Sequence, residues 1–400
     1  MPKQTKSKSR GRSRSTSGAG GRSHSTSGSR KTAKSKEELR PFEKGLKLRR
    51  LKIKNFKLFD EIELDFPPPR IEGDPDIVVL GSRNGGGKTT VLESCCLAFL
   101  AGTVGEDAEL MTHPGRTPEY DRGQDINLAD LMVRAGRERA QIQCSLHHGR
   151  QEVQIECGVS RNGNIQVHGR VPPSEDLPKK RDIMYPPRLM AIWRSLFGFS
   201  PEPFLFPPVF YFHSYRKVSE GNPELGMLVD SEAHYRRLRR YYSREPVMDT
   251  FKSEILRCMM GKSGLFDRFD SSEAETSLDQ LTNLLTTYAA CSIEKLRPSR
   301  ENTIEFRVAP LDGTASFAFD GLSSGQKEII STLFLVWLYT RGRPGLVLID
   351  EPELHLNAEW HARFISDLRE LAPDNQYIIA THSPDVAASV DADRRIMLEP

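Results

Sequence analysis

Four short stretches carry residues suited to phosphate chemistry. The first, Gly81-Ser-Arg-Asn-Gly-Gly-Gly-Lys-Thr-Thr90, lies between two apolar runs, 77–80 and 91–100. A strand, a glycine-rich turn, a lysine, a hydroxyl and a helix in that order make a phosphate-binding loop. The glycines let successive backbone N–H groups converge on phosphate oxygens. The helix that starts there adds the positive end of its dipole. Asn84, Gly85, Gly86, Gly87, Lys88, Thr89 and Thr90 are the candidate contacts. Lys88 reaches the terminal phosphates and the Thr89 hydroxyl ligates Mg²⁺. The strict pattern wants glycine six residues before the lysine; this chain has Ser82 there, with Gly81 one place earlier.

The second stretch, Leu346-Val-Leu-Ile-Asp-Glu-Pro-Glu353, reads as a buried strand that delivers Asp350 and Glu351 at its end. Asp350 suits a Mg²⁺ held through water, and Glu351 suits polarisation of an attacking water. The third, Leu322-Ser-Ser-Gly-Gln-Lys327, precedes an apolar helix over 329–339. The fourth, Tyr377-Ile-Ile-Ala-Thr-His-Ser383, is a strand that ends in a histidine. Singly, these are an acidic strand end, a helix cap and a buried histidine. Together, in order and on alternating strands and helices, they form a constellation.

That constellation resembles an ABC-type ATPase head, an α/β P-loop NTPase fold, here with an antiparallel β lobe and a compact helical insert. The resemblance makes the glycine loop the Walker A motif, Asp350 and Glu351 the Walker B pair, and His382 the switch histidine. It implies ATP and Mg²⁺ as cofactors, with Thr89 and Asp350 on the metal and Glu351 and His382 as catalytic residues. It makes Ser323, Ser324, Gly325 and Gln326 the signature. In this family the signature of one head caps the γ-phosphate held by its partner, a contact expected here of Ser323 and Gly325. Ser324 replaces the usual first glycine. No residue matches the family's Q-loop glutamine; Arg216 is a candidate phosphate contact nearby.

The elements that position these residues are legible from periodicity. The apolar–basic alternation over 48–59 and the apolar–acidic alternation over 62–66 predict a hairpin. Its pattern of Leu51, Ile53, Asn55, Phe56 and Phe59 resembles the opening strands of RecF, SMC and OLD-type heads. Three more alternating strands, over 140–146, 152–157 and 164–168, with turns at Gly149 and Asn162-Gly163, predict the antiparallel lobe. A buried strand is expected over 209–212, mainly helix over 223–298, and short strands over 303–308, 315–319 and 396–398. The segment 353–357 falls where the family has its D-loop, which puts His355 and Asn357 at an expected dimer seam. The resulting division is a basic tail over 1–40, the first part of the head over 41–215, a helical insert over 216–300 and the second part of the head over 301–400.

Composition adds bounds. Formal net charge is +3, but residues 1–36 hold 11 Lys/Arg and no acid, so the remainder carries 46 basic against 54 acidic groups. A basic arm therefore hangs from a mildly acidic body. Low complexity over 1–36 predicts disorder; its charge suits either nucleic-acid phosphates or simple solubilisation. Tyr235-Arg-Arg-Leu-Arg-Arg-Tyr-Tyr242 reads first as a solvated helix face with tyrosines packed beneath, and second as a nucleic-acid stacking surface. No C-x-x-C pair suggests zinc. With no 18-residue apolar run and no apolar leader, the expectation is a cytoplasmic protein with no membrane partner.

About 235 residues separate Lys88 from Leu322, too few for SMC-type arms, and 18 residues follow His382, too few for the TOPRIM domain of OLD nucleases. The resemblance thus implies a stand-alone head. Its expected partners are a second copy of itself on ATP, a separately encoded effector such as a nuclease or toxin, and DNA or RNA, in antiviral defence or DNA repair. Alternatives are a RecF-like DNA-loading factor acting alone, a transporter subunit, or an ATP-binding scaffold with little turnover. Salt-dependent DNA binding by the isolated chain, lost on removing residues 1–36 or on neutralising Arg236, Arg237, Arg239 and Arg240, is the result that selects DNA loading; a gel-shift series across ionic strength reads it.

Overall fold

The computed structural model describes residues 45–69, 74–82, 84–105, 128–148, 151–171, 196, 203–206, 208–218, 220, 250–263, 271–294, 296–298 and 303–398. The basic arm, the turn at Gly149 and the arginine–tyrosine cluster over 235–242 lie outside the described residues.

Strands β1 (Leu46–Phe56) and β2 (Phe59–Asp65) form the expected hairpin. Its outer face is laced by cross-strand pairs, among them Arg50–Asp65 and Lys52–Glu61, each at 2.8 Å. Strand β3 (Asp76–Gly81) runs into the glycine loop and helix α1 (Lys88–Val104). Helix α2 (Leu128–Met132) precedes β4 (Arg139–His148), β5 (Gln151–Ser160) and β6 (Ile165–His168). Next come β7 (Phe204–Phe206), β8 (Val209–Phe212), α3 (Thr250–Lys262) and α4 (Ser271–Ala289). Short strands follow: β9 (Cys291–Ile293), β10 (Arg297–Pro298), β11 (Ile304–Glu305), β12 (Arg307–Pro310) and β13 (Phe317–Ala318). The chain continues through α5 (Ser324–Thr340), β14 (Leu346–Asp350), α6 (Ala358–Leu371), β15 (Gln376–Thr381), α7 (Pro384–Ala388) and β16 (Arg395–Met397).

The central sheet has the order β16-β3-β15-β14-β8-β7. All pairs are parallel except the edge pair β7–β8. Its inner strands read as unbroken apolar runs because both faces are covered. Val78, Leu80, Leu346, Leu348, Ile378 and Ala380 enter one core, shared with α1 and with the antiparallel sheet β2-β1-β4-β5-β6. Ile77, Val79, Val347, Ile349, Tyr377 and Ile379 enter a second core with α3, α4, α5 and α6.

Helix α1 is therefore sandwiched between two sheets. Every residue in it except Thr89 is buried, which is why it is apolar all round rather than striped. At Gly102 a Cβ would lie 2.5 Å from the end of the Ile155 side chain of β5, so glycine allows the close approach without moving that side chain. The one buried acid in the helix, Glu93, pairs with Lys57 of the hairpin turn at 2.5 Å. Burial raises the Glu93 carboxyl pKa, and Lys57 opposes the rise. All six cysteines are buried and none is in a disulfide.

The two sheets are also tied by a side chain that imitates a strand. The buried amide of Gln376, at the start of β15, accepts from Leu48 N–H at 2.6 Å and donates to Leu48 C=O at 2.9 Å. Replacing Gln376 with leucine leaves both backbone groups buried and unmade. At about 1–3 kcal/mol for each orphaned group, Gln376→Leu is expected to lose roughly 2–5 kcal/mol in urea unfolding.

Candidate functional site

Parallel register brings three strand ends together. Asp350 of β14 lies opposite Ala380 of β15, and Thr381 lies opposite Gly81 of β3. The crevice beyond the carboxyl ends of parallel strands is where open α/β sheets bind ligands. Gly81, Asp350 and Thr381 each hand the chain into a loop at that edge.

The glycine loop turns into α1 through residues in the left-handed region, Gly85 at φ +80° and Gly87 at φ +86°. A Cβ on Gly87 would meet the Phe59 ring at 2.3 Å, so glycine is required there on two counts. Lys88 folds back over the loop. Its Nζ donates to Ser82 Oγ at 3.2 Å and contacts His382 Nε2 at 2.7 Å. The serine that departs from the strict motif thus supplies an acceptor for the lysine. Burial lowers the Lys88 pKa, while Glu351, Asp350 and Glu353 raise it.

Thr89 Oγ1 donates to Asp350 Oδ2 at 2.7 Å. The other carboxylate oxygen, Oδ1, is buried without a hydrogen-bond partner. Burial pushes the Asp350 carboxyl up to about 7; the Thr89 bond opposes this, and the charge of Glu351 adds to it. A hydroxyl and a buried carboxylate with one unsatisfied oxygen fit a Mg²⁺ that would take its other ligands from phosphate and water. Among the described residues no three His, Cys, Asp or Glu side chains gather as a protein-only metal cage.

Glu351 leaves the strand at φ +47°, unusual for a residue with a side chain. Its Oε1 sits 3.3 Å from His382 Nε2. That nitrogen therefore faces a donor, Lys88, and an acceptor, Glu351. Without its proton it accepts from the lysine; with it, it donates to the glutamate.

Two residues have roles that pattern alone did not assign. Glu353 Oε1 accepts from the backbone N–H of His382 at 2.6 Å and of Ser383 at 3.1 Å, holding the histidine strand end in place. Its place three residues after Asp350 was the available signal. Arg216, read from sequence as a phosphate contact, is instead buried. Its guanidinium donates to the carbonyls of Asp350 at 2.7 Å, His213 at 3.1 Å and Glu351 at 3.2 Å, and pairs with Glu328 at 2.7 Å. It holds backbone rather than facing phosphate, which no sequence motif reveals.

Ser323 caps α5. Its hydroxyl accepts from Gln326 N–H at 3.2 Å, and the Gln326 side chain accepts from Ser323 N–H at 3.0 Å, a capping box. The Gln326 amide also donates to Tyr288 C=O at 3.1 Å. Ser323 and Ser324 are exposed, while Gly325 is buried. A Cβ on Gly325 would meet His355 C=O at 2.3 Å, so this helix start and the 353–357 segment touch through backbone. His355 is exposed at φ +65°. Asn357 caps α6, its side chain accepting from Trp360 N–H at 2.9 Å. The chain does not bring the signature serines to its own glycine loop through any hydrogen bond among the described residues.

The raised Asp350 pKa has a stability consequence. Between the ordinary carboxyl range and about 7 the folded protein holds a proton that the unfolded chain has released, so stability falls as pH rises through that window. Asp350→Asn, titrated without nucleotide or metal, is expected to flatten the fall between about pH 4 and 7 and to melt higher than the parent at pH 8; calorimetry across pH reads both.

Two family models match complementary parts of the chain. One, described as "AAA domain", covers residues 50–177 with the glycine loop. The other, described as "AAA domain, putative AbiEii toxin, Type IV TA system", covers 202–388 with the remaining motifs. The chain is 20% identical to the Retron Vc95 probable ATPase of Vibrio cholerae serotype O1 biovar El Tor, over 87% of this chain and 73% of that protein. It is 30% identical to the Retron Ec83 probable ATPase of Escherichia coli over 23% of this chain, a match spanning 20% of that protein's length. It is likewise 30% identical to the Septu protein PtuA of Bacillus mycoides (strain KBAB4) over 20% of this chain and 12% of the relative. Among solved structures, the SmcHead bound to the C-winged helix domain of ScpA superposes with a TM-score of 0.47 at 15% identity, over 86% of this chain and 92% of that one. The glycine loop thus lies in the segment matched by one AAA-domain model, and the acidic strand end, the 322–326 stretch and His382 lie in the segment matched by the other.

Proposed function

We propose that the chain hydrolyses ATP as a pair of heads, and that the cycle controls a separately encoded effector, such as a nuclease or toxin, in antiviral defence. The observation that carries the ATPase reading is the convergence of Lys88, Thr89, Asp350, Glu351 and His382 at one sheet edge within contacts of 2.7–3.3 Å. Support for defence comes from the retron and Septu names of the relatives and the toxin–antitoxin description of one family model.

In this reading the N–H groups from Asn84 to Thr90 and the Lys88 ammonium hold the triphosphate, and α1 adds its dipole. Thr89 and Asp350 hold Mg²⁺, whose contribution is to neutralise charge on the transferred phosphoryl group. Glu351 orients water and takes its proton. His382, set by Glu353, stands between Lys88 and Glu351 on the γ-phosphate side. The exposed Ser323–Ser324 end of α5 offers N–H and hydroxyl donors to the nucleotide of a second copy, a contribution that one head lacks.

Glu351→Gln is expected to lower phosphate release about 10²–10⁴-fold while ATP binding and the ATP-dependent dimer persist in sedimentation velocity. Equal, slow release by parent and variant, with both dimerising, identifies an ATP-binding scaffold instead.

A further inference from the structure

One buried cation joins the helix that carries the signature to the turn that carries Glu351. The Arg216 guanidinium donates to Asp350 C=O at 2.7 Å and to Glu351 C=O at 3.2 Å, the two carbonyls that flank the break between strand and left-handed turn. The same group pairs at 2.7 Å with Glu328, which lies on α5 one turn beyond Ser324. The two side chains are 5% and 6% exposed. A buried pair of this kind resists separation, because parting it strands two charges away from water. The guanidinium is a flat fork whose donors have fixed directions, so it carries orientation as well as charge.

The Glu351 backbone is also tied to the sheet and within its own turn. Glu351 N–H donates to Ala380 C=O at 2.7 Å, its C=O accepts from Leu354 N–H at 3.2 Å, and Asp350 is in register with Ala380. Towards α5, Arg216 bonds the two carbonyls at the strand end, and the His355 carbonyl lies against Gly325 further along the turn. One turn before Glu328, at the start of α5, Ser323 and Ser324 are exposed. Burial raises the Glu328 pKa, and Arg216 and then His355 oppose the rise.

We propose that Arg216, through Glu328, is a positioning residue that couples engagement of the α5 N-terminus by a second copy's nucleotide to the orientation of Glu351. This rests on the ATPase reading above and adds to it the route by which one head's docking sets the water-activating carboxylate of the same head. Arg216 touches no substrate in this scheme; a shift of α5 is passed to the Asp350–Glu351 carbonyls as a shift of one rigid group.

The test uses the full chain with Glu328→Gln and, separately, Arg216→Lys. Each is assayed for fluorescent-ATP affinity, ATP-dependent dimerisation, cooperative melting and phosphate release. Turnover is expected to fall about 10–100-fold, the size of effect that misplacement of a catalytic group by an ångström produces, with ATP affinity and dimerisation within about twofold of the parent. Turnover within about twofold of the parent in both variants overturns the proposal, as does a loss that merely tracks ATP affinity or folded fraction, since that is the mark of a structural pair. A parent protein that releases no phosphate removes the ATPase reading and this coupling together. An active parent with unaffected variants removes the coupling alone.

Discussion

The parallel pairing of β3, β15 and β14 is the constraint on which the site depends. Gly81, Thr381 and Asp350 end their strands at matched levels, so the glycine loop meets a carboxylate 261 residues and a histidine 294 residues further along the chain. The bonds at 2.7 Å from Thr89 to Asp350 and from Lys88 to His382 follow from that register. A slip of one residue in any of the three strands would turn its apolar residues to the wrong core and remove its terminal group from the crevice.

Helix α1 makes the arrangement rigid. Enclosed by the central sheet on one side and the antiparallel lobe on the other, it sets the direction of the N–H groups at its start. Its lone buried acid is matched by Lys57, and the Gln376 amide stitches Leu48 to the sheet behind it. The second core, built from α3 to α6, supports the opposite face and carries the signature helix. The two faces of one sheet thus carry different motifs, the glycine-loop helix on one and the Ser323-capped helix on the other.

Much of this was legible in the chain. The hairpin, the lobe strands, the glycine loop and the strand ends at Asp350 and His382 all follow from period-two alternation or from apolar runs that stop at polar residues. These are local signals, and each element announces itself. Residues acting across the fold were not legible. Gln376 looks like a strand-edge amide until its partner, 328 positions away, is known. Arg216 has the composition of a phosphate ligand, and only its burial against three carbonyls shows that it serves the backbone. Glu353 belongs to a recognisable acidic cluster, yet its bond to His382 N–H depends on β14 and β15 being neighbours. Hydrogen bonds to backbone groups leave no residue-type signature on the backbone side, which is why pattern reading misses them.

The hairpin turn has a consequence for how the lobe and the phosphate cradle behave together. Phe59 rests on Gly87 with no room for a methyl group between them, while Lys57, two residues earlier, holds the acid inside α1. A single tight bend of the antiparallel lobe thus braces both the mouth and the shaft of the nucleotide helix. Displacing that one bend would disturb the glycine at the start of the helix and the acid within it together.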